Sequence, residues 1–344
     1  MQATLKRSDR VDFINKHTAM KPLFSFLLAM CLFSCKQASN KQDSVAPDPQ
    51  PYITPAGDKI IFLGDYYLDY LNAIKNNYKK NDSLYKLKVH DAIIYKYFSK
   101  SEYLRLIEED FPISRHDTTG IDTVGFRSIV LELEISKEKI KNLIINTLIE
   151  CRKYLKNDSI TVFVKPGNNA MKEYLKVWGG FSAVTPGSKQ IMLIIADTGF
   201  SIGYFEFVIS HEYNHTYWTN MKYSKEATAF TLLDYLVFEG KADSYGHFLY
   251  PNVIEPGVMT LSDNKKAELW NRIKSKLDTT HLDFEKQVMF GSYYDSVNYP
   301  ICGGYAIGYD MVQSAMKNNP KLTPAELSAL SPEKVLEMSD YKTK

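Results

Sequence analysis

The stretch "ISHEYNHTYW", residues 209–218, constrains the fold more than any other. It places two of the chain's seven histidines four positions apart, with a glutamate directly after the first: His211, Glu212 and His215. The pattern H-E-x-x-H carries chemistry only on a helix. There, positions i and i+4 share a face with β-carbons about 5–6 Å apart, so both imidazoles can turn a nitrogen to one metal ion. Glu212 is rotated about 100° from His211 and leans over the open side of the metal without ligating it. A hydrolytic zinc site needs that arrangement: the ion acidifies a water and the carboxylate takes its proton. The reading therefore requires a helix here and a third ligand from elsewhere in the chain.

A candidate lies in "FTLLDYLVFEGKADSYGHF", which holds Glu239 and, four residues on, Asp243. The spacing again puts both on one helical face. Glu239 would complete a His-His-Glu site and leave the fourth position to water. Asp243 could then accept a hydrogen bond from the other ring nitrogen of a ligating histidine, fixing the ring and raising its basicity. The surrounding Leu232, Leu233, Leu236, Val237 and Phe238 are apolar, and a carboxylate in that setting is costly unless paired or metal-bound. The competing reading is two solvated acids on an amphipathic helix. His247 shares their face but lies about 12 Å by helix rise from Glu239, which suits a structural role.

Composition narrows the function classes. Net charge is +2, with 42 Lys/Arg against 40 Asp/Glu, so no basic surface points to nucleic acid. The N-terminus reads as an export signal. From Met20, the expected start, "MKPLFSFLLAMCLFSCKQ" offers one lysine, a short apolar core from Leu23 to Phe33, and Ser34-Cys35. That core is about half the 20 residues a membrane span needs. Leu32-Phe33-Ser34-Cys35 resembles the bacterial lipobox, which makes Cys35 the expected lipidation site and the cell envelope the expected location. Residues 1–34 are thus assigned to an N-terminal extension and signal peptide. The polar, proline-rich residues 35–57 are assigned to a flexible tether. Beyond them only Cys151 and Cys302 remain, too few for a disulfide framework. Cys151 sits on an apolar helical stripe and is expected to be buried.

Residues 58–157 look mostly helical. Helices are expected over "DYYLDYLNAIKNNYKK", over "SLYKLKVHDAIIYKYF" and, after Ser136, over "KEKIKNLIINTLIECRKYLK", with "RHDTTGIDTVGFRS" read as a loop. A β-branched strand follows at Ile160–Val164. Next comes a hairpin with a polar, exposed strand near Phe181–Thr185 and a buried one near Ile191–Ile195. The histidine helix is expected to start near Ser201 and the Glu239 helix to run near Lys225–Leu249. Thr323-Pro324-Ala325-Glu326 and Ser331-Pro332 read as helix starts.

His211-Glu212-x-x-His215 with Glu239-x-x-x-Asp243 resembles the gluzincin metallopeptidases. More closely, "HEYNH", "TLLDYLVFEGKAD" and "GGYAIGYDMV" together resemble an uncharacterised family of predicted Zn-dependent proteases, over roughly residues 158–344. The order exposed strand, turn, buried strand, histidine helix is the zincin layout. The resemblance implies zinc (Zn2+) on His211, His215 and Glu239, with Glu212 as general base. Gluzincins also supply a Tyr or His to steady the oxyanion, and Tyr305 and Tyr309 are the candidates. They lie one helical turn apart behind two glycines, although plain packing is the competing role. The expected fold is α+β, with a helical region 58–157 packed on a zincin-like domain, 158–344, that has a small mixed sheet and an active-site helix. The expected activity is hydrolysis of a peptide or protein substrate by zinc-activated water, on a protein held to a membrane through a lipid anchor. The alternatives are a peptide-binding or scaffolding lipoprotein that cleaves nothing, and a structural metal site closed by a fourth protein ligand.

Overall fold

The computed structural model describes residues 50–75, 123–167, 175–222, 230–291 and 299–343. The expected helix over residues 83–98 and Cys35 lie outside the described residues.

Short β-branched and aromatic runs build a five-stranded mixed sheet. Its strands are β1 (Tyr52–Ile53), β2 (Lys59–Phe62), β3 (Thr161–Pro166), β4 (Phe181–Gly187) and β5 (Gln190–Ile195), in the order β1-β2-β3-β5-β4. The central pairings β2–β3 and β3–β5 are parallel and the outer ones antiparallel. The expected hairpin is β4–β5, with β4 at the edge of the sheet, but Phe181 is buried in the core and residues 182–185 are half-buried rather than exposed. Two strands fall where the sequence suggested none. β1 comes from the end of the expected tether, and β2 from the region expected to be helical. Lys59-Ile60-Ile61-Phe62 is too short to show a period, and its apolar residues are buried on both faces, as parallel strands require.

Period-two alternation divides the sheet's side chains between two cores. Ile60, Phe62, Val162, Val164, Ile191, Leu193 and Ile195 face one layer. It is made by α3 (Lys137–Arg152), through Ile140, Ile144 and Leu148, and by α4 (Ile202–Lys222), through Phe205, Ile209 and Tyr213. Ile61, Phe163, Met192 and Ile194 face the other. There α1 (Gly64–Lys75) contributes Tyr66, Tyr67 and Tyr70, and α2 (Thr123–Ile135) contributes Phe126 and Val130. Helix α2 corrects the expected loop "RHDTTGIDTVGFRS", whose residues 123–128 are its first turns. Gly125 and the polar residues around it masked the stripe Phe126, Ile129, Val130, Leu133, all buried at helical spacing. Helix α3 ends at Arg152 rather than continuing to Lys156. Cys151 is buried as expected, and burial pushes its thiol up to about 12, an inert state.

A third core joins a helical lobe: α5 (Leu232–Leu249), α6 (Asp263–Ile273), α7 (Leu282–Phe290), α8 (Gly303–Asn318), α9 (Pro324–Ala329) and α10 (Pro332–Met338). Thr323 and Ser331 cap α9 and α10, each with proline in the first turn. Helix α5 starts at Leu232, later than the expected Lys225. Thr231 accepts from the Asp234 N–H, and the Asp234 carboxylate accepts from the Thr231 N–H at 2.8 Å, a capping box that fixes the start. Helix α5 is buried nearly all round, so it runs between the sheet layer and the lobe instead of over the surface. Among the described residues no helix is long and apolar enough to cross a membrane.

Candidate metal centre

Helices α4 and α5 lie against each other and bring the two sequence motifs face to face. His211 and His215 project from α4 and Glu239 from α5. One ligand atom of each, two nitrogens and an oxygen, all lie within 4.8 Å of one another. Glu239 Oε2 is 3.2 Å from His211 Nε2 and 3.1 Å from His215 Nε2. Ligand atoms of a tetrahedral zinc with bonds near 2.0–2.1 Å stand about 3.3 Å apart, so Glu239 already stands at metal-binding separation from both imidazole nitrogens. The side chains keep some exposure, 12% for His211 and 13% for Glu239, which leaves the site an open side.

Asp243, one turn beyond Glu239, is fully buried, and its Oδ1 lies 2.6 Å from His211 Nδ1. A carboxylate there makes Nδ1 the donor, so that Nε2, once it gives up its proton to a cation, turns its lone pair to the centre. The reading of Glu239 and Asp243 as solvated acids is excluded: Asp243 is fully buried, and Glu239, only partly exposed, is paired with both imidazoles. The His215 ring is held differently. It stacks on Phe238 at 3.8 Å between centroids and 18° between planes, and its buried Nδ1 has no hydrogen-bond partner among the described residues.

Without an ion, the cluster's charges answer one another. Burial disfavours the charged forms of both His211 and Glu239. For His211, the charge and hydrogen bond of Asp243 win and hold the imidazole well above its usual pKa. For Glu239, the two imidazoles win and bring the carboxyl down to about 2. Glu239 is thus anionic over the whole neutral range. A divalent cation would replace the proton that His211 otherwise holds.

Glu212 is buried on the strand side of α4. It is 5% exposed, and its Oε2 accepts from the Thr185 hydroxyl at 2.6 Å. Tyr305, on α8, stands on the Glu239 side: burial first, then the Glu239 charge, keeps its phenol well above the usual range and protonated. Tyr309 has its ring edge-on to His247 at 5.9 Å between centroids, and burial first, then the Asp243 charge, pushes its phenol up to about 12. Tyr305 therefore lies within the field of the Glu239 carboxylate, and Tyr309 packs on His247.

Two residues escaped the sequence reading. Thr185 is one. Its parity with Phe181 and Ala183, which pack toward α4, was the available signal. The other is Glu255, from the loop after α5. It is buried behind Asp243, and each carboxyl keeps one oxygen, Asp243 Oδ2 and Glu255 Oε2, with no donor among the described residues. Burial, then the Asp243 charge, holds the Glu255 carboxyl well above its usual range and favours the neutral acid, which can donate to Asp243. Glu255 is the one charged residue between Pro251 and Leu261, a faint signal at best.

Comparison with known proteins agrees with this geometry. Searches of curated proteins and of solved structures give no match. A family model described as "Predicted Zn-dependent protease" matches residues 140–337, from within α3 of the sheet layer to within α10 of the lobe. That span holds His211, His215 and Glu239, a donor set that fits zinc, and the chain belongs to this family of predicted Zn-dependent proteases.

Proposed function

We propose that the protein is a zinc-dependent peptidase. The observation that carries the reading is the convergence of His211, His215 and Glu239 at ligand spacing, with Asp243 orienting one imidazole from behind. A zinc ion held by these residues would supply Lewis acidity, lowering the pKa of water and polarising a peptide carbonyl. Glu212, adjacent in sequence to a ligand but turned off its face, takes the proton of the attacking water and passes it to the leaving amine. Tyr305, kept protonated, donates a hydrogen bond to the oxyanion that develops on the carbonyl. Among the described residues no strand pairs with the outer edge of β4, and an extended peptide added there would lie along the sheet beside the site.

The same reading places the protein in the bacterial cell envelope, tethered through a lipid on Cys35. Its support is the Lys21, apolar core and Leu-Phe-Ser-Cys sequence. Replacing Cys35 with Ser should release the protein from membranes. Absence of labelled fatty acid from the wild type would remove the anchor.

The test of the enzyme is Glu212→Gln, which keeps size but removes the base. Turnover on a peptide cleaved by the wild type should fall about 10²–10⁴-fold, with zinc content unchanged. Undiminished cleavage by the zinc-loaded variant would exclude this role. A wild type that holds zinc and binds peptides but cleaves no member of a broad library would instead be a binding module.

A further inference from the structure

Thr185 sits where the edge strand leaves its ladder. The β4–β5 register runs from Phe181↔Ile195 to Val184↔Met192 and resumes only at Gly187↔Gln190. Irregularities of this kind re-aim side chains beside active sites. Up to the break, alternation holds: Phe181 and Ala183 pack into the core shared with α4, and Val184 into the opposite one. Thr185 therefore faces α4. Its hydroxyl oxygen is 2.6 Å from Glu212 Oε2 and 3.1 Å from the Glu212 backbone oxygen. A hydroxyl has one proton to give, and the shorter, charge-assisted contact takes it. The carboxylate's other oxygen, Oε1, accepts no hydrogen bond from any described residue.

We infer that Thr185 is a positioning residue for Glu212. It occupies Oε2, fixes the carboxylate's rotation and leaves Oε1 to face water. It also links two parts of the site that are separate in sequence. The strand whose edge would pair with a peptide is the strand that holds the base, so a bound peptide and the base share one rigid support. This rests on the peptidase reading above. The expected consequence is specific. Loss of the hydroxyl misaligns the base without touching the metal ligands or the strand's outer edge, so kcat falls and KM does not.

Two measurements test this. The first does not depend on turnover: thermal melting of metal-free wild type, Thr185→Val, Glu212→Ala and the double variant. The inference expects non-additivity, with Thr185→Val lowering Tm by several degrees in the wild type and by little once Glu212 is gone. Additive shifts overturn it. The second is steady-state cleavage by the zinc-loaded proteins. Thr185→Val should lose about 10–100-fold in kcat with KM within about threefold, while Thr185→Ser, which keeps the hydroxyl, recovers most of the loss. Wild-type kcat in Thr185→Val, or equal losses in the Val and Ser variants, overturns the inference. A wild type that carries zinc and cleaves nothing overturns the peptidase reading itself, and the melting cycle separates that failure from absence of the Thr185–Glu212 contact.

Discussion

Glu239 and Asp243 are one turn apart on the same helix, yet their surroundings give them different tasks. Glu239 places one oxygen about equally far from two imidazole nitrogens, whereas Asp243 reaches past the centre to the far nitrogen of His211. Glu239→Ala should abolish stoichiometric zinc. Asp243→Ala should retain a site and weaken it about 10–100-fold, because an unanchored imidazole must be ordered by the metal itself. Zinc titration of both variants checks this, and equal affinity in wild type and Glu239→Ala would rule out the ligand assignment. These four positions were readable from sequence because i, i+4 spacing is a local rule and a carboxylate among leucines demands a partner. Thr185 and Glu255 were not. Both reach the site from other segments, across the sheet edge and from a loop, and no local period encodes such meetings.

Helix α5 brings Glu239 to α4 on one side and crosses α8 on the other, and glycine makes that crossing possible. A β-carbon on Gly240 would stand 2.2 Å from the Gly308 carbonyl oxygen, and one on Gly308 would stand 1.9 Å from the Leu236 oxygen. Backbone is in contact with backbone at this point, so neither position accepts a methyl without the helices separating. The crossing lies one residue from Glu239 and about one turn from Tyr305, so separation would move both. Gly308→Ala should lower Tm by several degrees, as overpacking costing about 1–3 kcal/mol does, and should weaken zinc binding as well. Gly203→Ala on α4 is the control: its β-carbon would meet only a Val253 methyl at 3.5 Å, an ordinary contact. Zinc affinity that survives Gly308→Ala intact would detach the crossing from the site. The glycines of "GGYAIGYDMV" were visible in the sequence, but which helix they approach is a tertiary fact.

The architecture divides into a sheet with helices on both faces and a lobe of helices, each with its own core, and α4 and α5 meet between them. The sequence showed the α+β character and the order strand, hairpin, histidine helix. It did not show that the chain's early residues complete the sheet. That depends on parallel pairing of β2 with β3, about a hundred residues apart, which leaves no turn signal. Asp58 seals this junction: it is buried, pairs with Arg152 at the end of α3 and accepts from the Ile160 N–H at 3.0 Å. The metal site has the equivalent position at the other junction. Two ligands belong to the sheet layer and one to the lobe's central helix, so a bound ion cross-links α4 to α5. Whatever binds the folded state alone stabilises it by about 2.7 kcal/mol at a hundredfold excess over Kd. For a domain of 150–250 residues, each kcal/mol shifts Tm by roughly 2–4 °C. Removing zinc with a chelator should therefore lower Tm by about 5–10 °C at that saturation, and restoring zinc should recover it. In Glu239→Ala, which lacks the α5 side of the link, the chelator should leave Tm where it was. An equal chelator effect in wild type and variant would mean that the stabilising ion is bound elsewhere.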